Sequence, residues 1–306
     1  MGNGEEYRRR INRAQDYIEQ NLGRSLSLEE VAQQAAFSPY HFHRLYTAMT
    51  GESLYQFILR LRLEKAAAVA VACPHRSITE IALETGFSSP ATFARAFKAK
   101  FGVSASEYRG RKDRKAVGKD RNALRKDRNA AASTRPYLGE VMNTFPAQSI
   151  NVEDHPQKQL AYLRHVGPYA GDSALFEGLW GRYCAWAGPR GLLGAPNSEM
   201  VCIYHDNPEI TEDDKLRISL GVTVAPGTET SGEINLLTIP AGKYVCARFE
   251  LTSKDYAGAW NTLMGWLPNS GYQPDDRPVY ETYLSDPSED PEGKHLVEIR
   301  MGVKPL

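Results

Sequence analysis

Several features are scarce or missing in this 306-residue chain, and each absence excludes a class of protein. No apolar run approaches the ~20 residues that a membrane-spanning helix needs. The opening MGNGEEYRRR has no apolar core of the kind a secretory leader carries. These two absences predict a cytoplasmic protein without a membrane partner. Cysteine is sparse, and Cys73, Cys184, Cys202 and Cys246 stand far apart with no C-x-x-C pair. That spacing suggests neither a zinc motif nor a disulfide framework and leaves reduced, structural thiols, so no metal is expected. The phosphate-loop pattern G-x-x-x-x-G-K-[ST], the dinucleotide pattern G-x-G-x-x-G and the metalloprotease pattern H-E-x-x-H do not occur. No Ser-His-Asp or Cys-His arrangement can be assigned from spacing. The expectation is a protein without a cofactor that is not an enzyme.

Net charge is also missing, at +0, but the balance is local. Residues 1–108 hold 13 basic and 11 acidic groups, residues 109–135 hold 11 and 3, and residues 136–306 hold 13 and 23. The chain is thus basic to residue 135 and acidic beyond it. Such asymmetry suits a nucleic-acid-facing half joined to a half that avoids phosphates. The length itself suggests roughly two domains.

The stretch that organises the basic half is residues 78–101, ITEIALETGFSSPATFARAFKAKF. Ile78, Ile81 and Ala82 recur at helical spacing, and Gly86 interrupts. Ser88-Ser89-Pro90 then reads as a helix start, and Phe93, Ala96, Phe97 and Phe101 mark the buried face of a second helix. Its open face carries Thr92, Arg95 and Lys98. Two short helices around a Gly turn form either a plain helical hairpin or a helix-turn-helix.

A second copy precedes it. Val31, Ala32, Phe37 and Ser38 match Ile81, Ala82, Phe87 and Ser88 at a constant separation, and Phe42, Arg44, Tyr46 and Gly51 match Phe93, Arg95, Phe97 and Gly102 after an offset of one. Ser27 with Glu30 reads as a capping box at the head of this copy. Upstream, residues 5–21 read as an amphipathic helix with Ile11, Ala14, Ile18 and Leu22 on one stripe. Between the copies, residues 54–72 read as one helix of roughly 28 Å, near the ~34 Å repeat of the major groove on one face of DNA.

The motifs SLEEVAQQAAFSPYHFHRLYTAMTG and SITEIALETGFSSPATFARAFKAKFGVSASEYR resemble the DNA-binding domain of the AraC/XylS transcriptional regulators. The resemblance covers residues of about 10–108 and implies double-stranded promoter DNA as partner, and RNA polymerase as a further one. It implies that Tyr40, His43 and Arg44 form a first base-reading set. Ser89, Pro90, Ala91, Thr92 and Arg95 form the second, with Lys98 beside it. Relatives carry polar residues where this chain has Pro90 and Ala91; Ala91 suits a thymine methyl instead. Arg44 and Arg95 suit a bidentate pair with guanine, or else a phosphate. His41 and His43 lack the spacing of a metal pair. Arg60, Arg62, Lys98 and Lys100 are candidate phosphate contacts.

Residues 109–141 read as a basic linker in which KDRN occurs twice. Its charge would add sequence-independent attraction to DNA. Beyond it the texture alternates as strands do, with isolated helices. Strands are expected at 159–166, 200–205, 215–224, 242–251, 278–284 and 295–303, and helices at 171–187 and 254–267. This order is strand-helix-strand-strand, twice, with Tyr204 opposite Tyr283 and Leu220-Gly221-Val222 opposite Met301-Gly302-Val303.

The segments RHVGPYAG, IYHDNPEIT, AGKYVCARFELTSKDYAGAWNTLMGWLPNSGY and RPVYETYL resemble the GyrI-like effector-binding domain, over residues 142–306. The resemblance implies that Glu281 meets a cationic or polar group of a small-molecule effector. On a strand Glu281 and Tyr283 share a face, and Cys202 and Tyr204 hold the matching positions of the first repeat. Trp180, Tyr183, Trp260 and Trp266 are candidate walls for a lipophilic cation, or else core residues. His165 is expected to be structural.

The expected protein is therefore multidomain. An all-α DNA-binding domain with two helix-turn-helix units spans 1–108, a basic linker 109–141, and an α+β effector-binding domain of two strand-helix-strand-strand repeats 142–306. Its expected function is sequence-specific transcriptional regulation, by activation, in response to a small amphipathic or cationic effector. Two alternatives stand beside it: a small-molecule hydrolase using Glu281 as acid or base, and a module docking a protein such as polymerase or a topoisomerase.

Overall fold

The computed structural model describes residues 3–116, 144–287 and 290–306. Most of the basic linker lies outside the described residues; its first part, to residue 116, belongs to a helix. The described residues fall into two compact units. One holds residues 3–21, 26–57 and 144–306, the other residues 22–25 and 58–116. The stretch expected as one DNA-binding domain is divided between them.

In the first unit, α1 (Asn3–Gln20), α2 (Leu28–Gln34) and α3 (Pro39–Thr50) pack around Ile11, Ala14, Ile18, Val31, Ala32, Phe42 and Tyr46, all buried. Each fully buried large apolar side chain contributes about 1.5–3 kcal/mol. Ser27 caps α2, its hydroxyl accepting the Glu30 N–H at 3.1 Å. The Glu30 carboxylate takes the Tyr17 hydroxyl of α1. The turn between α2 and α3 passes through Ala36 at φ 54, a left-handed conformation unusual for alanine.

The second unit repeats this pattern with α5 (Ile78–Glu84) and α6 (Pro90–Phe101). Here the capping box is complete: Ser77 and Glu80 bind each other's backbone N–H. Gly86, at φ 90, occupies the turn position that Ala36 holds in the first copy. Both second helices end on a left-handed glycine, Gly51 at φ 74 and Gly102 at φ 73. A run of rings, Phe87, Phe93, Phe97, Phe101 and Tyr108, forms the core under α6 and α7 (Ala105–Ala116). The helix between the copies, α4 (Leu54–Ala72), has the bounds expected from sequence.

Residues 144–306 build a nine-stranded antiparallel sheet. Its strands are β1 (Ser149–His155), β2 (Lys158–Val166), β3 (Met200–Tyr204), β4 (Arg217–Val224), β5 (Asn235–Ile239), β6 (Gly242–Leu251), β7 (Tyr272–Pro274), β8 (Val279–Tyr283) and β9 (His295–Pro305). The order is β1-β6-β9-β8-β3-β4-β2-β5, with β7 on β9. Two helices accompany them, α8 (Ser173–Ala187) and α9 (Tyr256–Trp266). The repeats are β2-α8-β3-β4 and β6-α9-β8-β9, and they meet where β3 pairs with β8. Strands β1, β5 and β7, unanticipated from sequence, are short additions at the margins of this frame.

The register explains the core. Leu163, Leu220, Cys202, Glu281, Ile299, Ala247 and Ile150 stand side by side across seven strands. Alternation puts this row on one face. Leu179 and Tyr183 of α8 pack on one end of that face, Ala259 and Leu263 of α9 on the other. Gly221 lies where a side chain cannot: a Cβ there would sit 1.9 Å from the Ala161 carbonyl oxygen. Among the described residues no helix is long and apolar enough to cross a membrane.

Candidate functional site

The helix-turn-helix copies present their second helices outward. On α3, Tyr40, His43 and Arg44 are all exposed while Phe42 and Tyr46 face inward. Arg44 donates to the Tyr40 hydroxyl at 3.0 Å, one turn away, and lies over its ring. Ser38, the first residue before α3, binds His41 Nδ1 at 3.0 Å. On α6, Pro90, Ala91, Thr92, Arg95 and Lys98 are exposed. Ser89 is the helix cap: its hydroxyl accepts the Thr92 N–H at 3.2 Å and meets the Thr92 hydroxyl at 3.0 Å. These two side chains thus hold the first turn of α6 together.

Three of the expected phosphate contacts are engaged inside the protein. Arg60 is buried beside Glu64 at 3.4 Å, and Lys100 reaches the same carboxylate at 2.9 Å. Arg62 donates to the carbonyls of Leu22 at 3.1 Å and Arg24 at 2.6 Å, tying the chain around Gly23 to α4. Lys98 alone of the four stands exposed.

In the sheet, the residue that breaks the apolar row is Glu281, fully buried at the β3–β8 seam. Its carboxylate accepts the Trp260 indole N–H at 2.9 Å, the Tyr204 hydroxyl at 2.8 Å and the Tyr283 hydroxyl at 3.1 Å. Trp260 comes from α9, Tyr204 from β3 and Tyr283 from Glu281's own strand, so both repeats contribute. Burial pushes the carboxyl up to about 7, against the opposing pull of the bonds from Trp260, Tyr204 and Tyr283. Among the described residues no lysine or arginine forms an ion pair with it.

Aromatic rings surround this group. Tyr204 stacks edge-on to Trp260 at 5.8 Å and Tyr169 lies 5.6 Å from Tyr204. Trp180 of α8 meets Tyr283 at 5.9 Å. Tyr183 stands behind Trp180; it is fully buried and its hydroxyl accepts the Val222 N–H at 3.0 Å, so it anchors α8 to the sheet. Trp266, the last residue of α9, is partly buried and packs against the core cluster under that helix. Tyr169 and Tyr256 belong to the cluster though sequence reasoning passed over them: burial raises both hydroxyl pKa values, and the negative charge of Glu281 adds to it. Both lie within segments that carried the family resemblance, RHVGPYAG and SKDYAGAW. His165 bonds the Pro168 carbonyl at 3.3 Å in the following turn, a structural role.

Glu153, His155 and Cys246 also bring three donor atoms together. His155 Nε2 lies 3.2 Å from the Cys246 sulfur. Burial pushes that thiol up to about 12, and Arg300 and Lys158 place positive charge beside the imidazole. Both effects oppose the thiolate and the cation that a soft-metal site requires. A cleft of about 460 Å³ beside Thr144, Phe145, Pro146 and Asn261 is lined by none of the residues around Glu281.

Residues 148–304 match the profile of the GyrI-like small molecule binding domain, which is half of the chain. The chain belongs to the GyrI-like family. Ahead of the GyrI-like domain, residues 31–111 match a helix-turn-helix domain of AraC type. The chain therefore joins a DNA-binding region to a small-molecule-binding domain. It is 33% identical over 141 residues to a DNA gyrase inhibitor of Yersinia enterocolitica, covering 44% of this chain and 85% of that protein. It is 37% identical over 102 residues to the transcriptional regulator Rob of Salmonella typhimurium, covering 33% of this chain and 35% of Rob. The C-terminal domain of AraT, a response regulator from Geobacillus stearothermophilus, is 32% identical with a TM-score of 0.32, covering 33% of this chain and 84% of that one.

Proposed function

We propose that this chain is a transcriptional regulator that binds promoter DNA through α3 and α6 and answers to a lipophilic, cationic effector at Glu281. One observation carries the effector class: a fully buried carboxylate held by three neutral donors and ringed by aromatics, with no cation paired to it among the described residues. A bound cation would supply the missing charge, and Trp180, Trp260 and Tyr204 would add cation–π attraction. In this reading Glu281 anchors the ligand and turns nothing over. Arg44 and Arg95 read base edges, with Tyr40, His43, Ser89, Ala91, Thr92 and Lys98 around them. Regulation is by activation, through contact with RNA polymerase, in the cytoplasm.

The test uses the full chain. Tetraphenylphosphonium should raise its melting temperature and quench its tryptophan fluorescence, and should change its affinity for a duplex selected by the protein itself. A set of lipophilic cations that neither binds nor alters DNA affinity would end this reading. Steady hydrolysis of ester or epoxide substrates, lost in Glu281→Gln, would replace it with an enzyme.

A second reading rests on the DNA gyrase inhibitors that align with this chain across most of their length. In it the acidic C-terminal half docks gyrase. Inhibition of gyrase supercoiling by the full chain, insensitive to lipophilic cations, would favour it.

A further inference from the structure

Helix α1 lies within one compact unit with both α2–α3 and the sheet, and it is tied to each by different side chains. Toward the helix-turn-helix, Tyr17 donates to Glu30, Gln15 to the Tyr46 hydroxyl at 3.4 Å, and Arg10 to the Ala36 carbonyl at 3.1 Å. Toward the sheet, Asp16 accepts from Arg164 at 2.7 Å and from the Tyr162 hydroxyl. Glu19 pairs with Arg217 and accepts from His205 Nδ1 at 3.0 Å. The Arg9 backbone carbonyl accepts from the Asn235 side-chain amide at 3.1 Å.

The sheet side of this contact is a buried, charged network. Arg164 and Arg217 have side chains only 1% and 2% exposed. Asp206 binds Arg217 through both oxygens, at 2.8 and 2.6 Å. Arg164 donates to Ser219 at 3.1 Å and to His205 Nε2 at 3.0 Å. A guanidinium only donates, so Nε2 must accept and the His205 proton sits on Nδ1, facing Glu19. Buried ion pairs add little net stability, but removing one partner is strongly unfavourable. Without α1, Arg164 would lose the carboxylate that meets it, and Arg217 would keep only Asp206.

The strand that carries this network also carries the effector cluster. Tyr204, whose hydroxyl holds Glu281, ends β3; the next residue, His205, continues the ladder by donating its N–H to the Arg217 carbonyl at 3.1 Å and turns its ring to the opposite face. Asp206 follows it. Three consecutive residues therefore touch the candidate effector site, α1, and the arginine that α1 holds.

We propose that Tyr204, His205 and Asp206 couple the two functions: effector at Glu281 displaces Tyr204, which resets the hold of His205 and Arg217 on Glu19, and α1 carries that change to the first helix-turn-helix. The proposal rests on the effector reading of Glu281, and its decisive test needs no effector. In the full chain, Asp16→Asn with Glu19→Gln speeds hydrogen exchange of α1 amides about tenfold, with β9 unchanged. Tyr204→Phe, which alters only the effector face, speeds the same amides about threefold. Unchanged α1 protection in the double variant overturns the hold on α1. Unchanged protection in Tyr204→Phe overturns the coupling, and equal acceleration in β9 counts against it as global loosening. With tetraphenylphosphonium as probe, the wild-type chain shifts its affinity for a selected duplex about fivefold or more, while the double variant binds the probe equally well and loses the shift. A double variant that keeps the shift also overturns the proposal. A probe that fails to bind the wild-type chain removes the effector reading alone, and the exchange results still decide the coupling.

Discussion

Cys202 and Glu281 are register partners across the seam between β3 and β8, at equivalent positions of the two repeats. Duplication gave the seam two matching positions, and they carry a thiol on one side and a carboxylate on the other. Burial pushes both groups toward their neutral forms, and a raised thiol is the wrong direction for any nucleophilic or metal-binding use at neutral pH. The asymmetry leaves a single ionisable carboxylate at the centre of an otherwise apolar row. Its neighbours that titrate are Cys202 and the tyrosines Tyr169, Tyr204, Tyr256 and Tyr283, none of which is charged near neutral pH.

A raised carboxyl makes stability and ligand binding move oppositely with pH. Glu281 lies at about 7 in the folded chain against an ordinary 4.5. Its contribution to stability is present below the ordinary value and is lost as pH rises through the folded value. Glu281→Gln should therefore stabilise the free protein at pH above about 8 by roughly 3 kcal/mol and change it little in acid. Affinity for tetraphenylphosphonium should rise about tenfold per pH unit up to the folded value and then level off, because the cation needs the ionised form. The glutamine variant should show neither trend. A pH-independent cation affinity in the wild-type chain would remove Glu281 from the site.

Arg44 stands exposed with its guanidinium resting on Tyr40, free to reach a base edge. Arg44→Ala should lose about 1–3 kcal/mol of discrimination at one operator position, and Arg95→Ala the same at another. Binding to duplexes varied one base at a time measures this. An equal loss on every sequence would make the residue a phosphate contact. Arg44→Lys keeps the charge but not the paired donors, so it should resemble the alanine variant in specificity.

At the left-handed position of the matched helix-turn-helix turns stands Ala36 in one copy and Gly86 in the other. Alanine pays a steric cost in the left-handed region, partly offset by the greater freedom of an unfolded glycine. Ala36→Gly should stabilise the chain by about 0.5–1 kcal/mol. The reverse change at Gly86 meets a wall, since a Cβ would lie 2.5 Å from the Leu22 carbonyl oxygen and 2.8 Å from the Arg62 guanidinium. Gly86→Ala should cost about 2–4 kcal/mol in chemical denaturation. Equal effects of the two substitutions would show that the turns are not equivalent.

Periodicity and repetition made the frame legible. The bounds of α4, α5 and α6 follow from apolar spacing and from Ser and Pro start signals, whereas Glu281 is singled out through the resemblance to the GyrI-like domain. What escaped has a common physical origin. Strands β1 and β5 lie at the two ends of the sheet order, where among the described residues one side of each lacks a partner strand and few apolar residues are needed. Nothing in the sequence marks Arg164 and Arg217 for burial, because the partners that allow it, Asp16, Glu19 and Asp206, come from other parts of the chain. The same blindness to distant partners put Arg62 and Lys100 among the phosphate contacts; Arg60 joined them although its partner Glu64 is only one helical turn away.

That last correction separates two arginine and lysine roles by experiment. Arg60 is buried against Glu64, which also holds Lys100, so its charge is neutralised within the fold. Lys98 is exposed on the outer face of α6, where its charge is open to phosphate. Truncating a partner in a buried ion pair costs about 3–5 kcal/mol, so Arg60→Ala should unfold at markedly lower denaturant. Below its melting range it should bind DNA with an unaltered dependence on salt, because no counterion is released at a buried guanidinium. Lys98→Ala should do the reverse: stability unchanged, and the slope of log affinity against log salt reduced by about 1. The two slopes, measured on one selected duplex at equal folded fraction, decide it. A flatter slope in Arg60→Ala would mean that the guanidinium leaves Glu64 for the DNA backbone on binding.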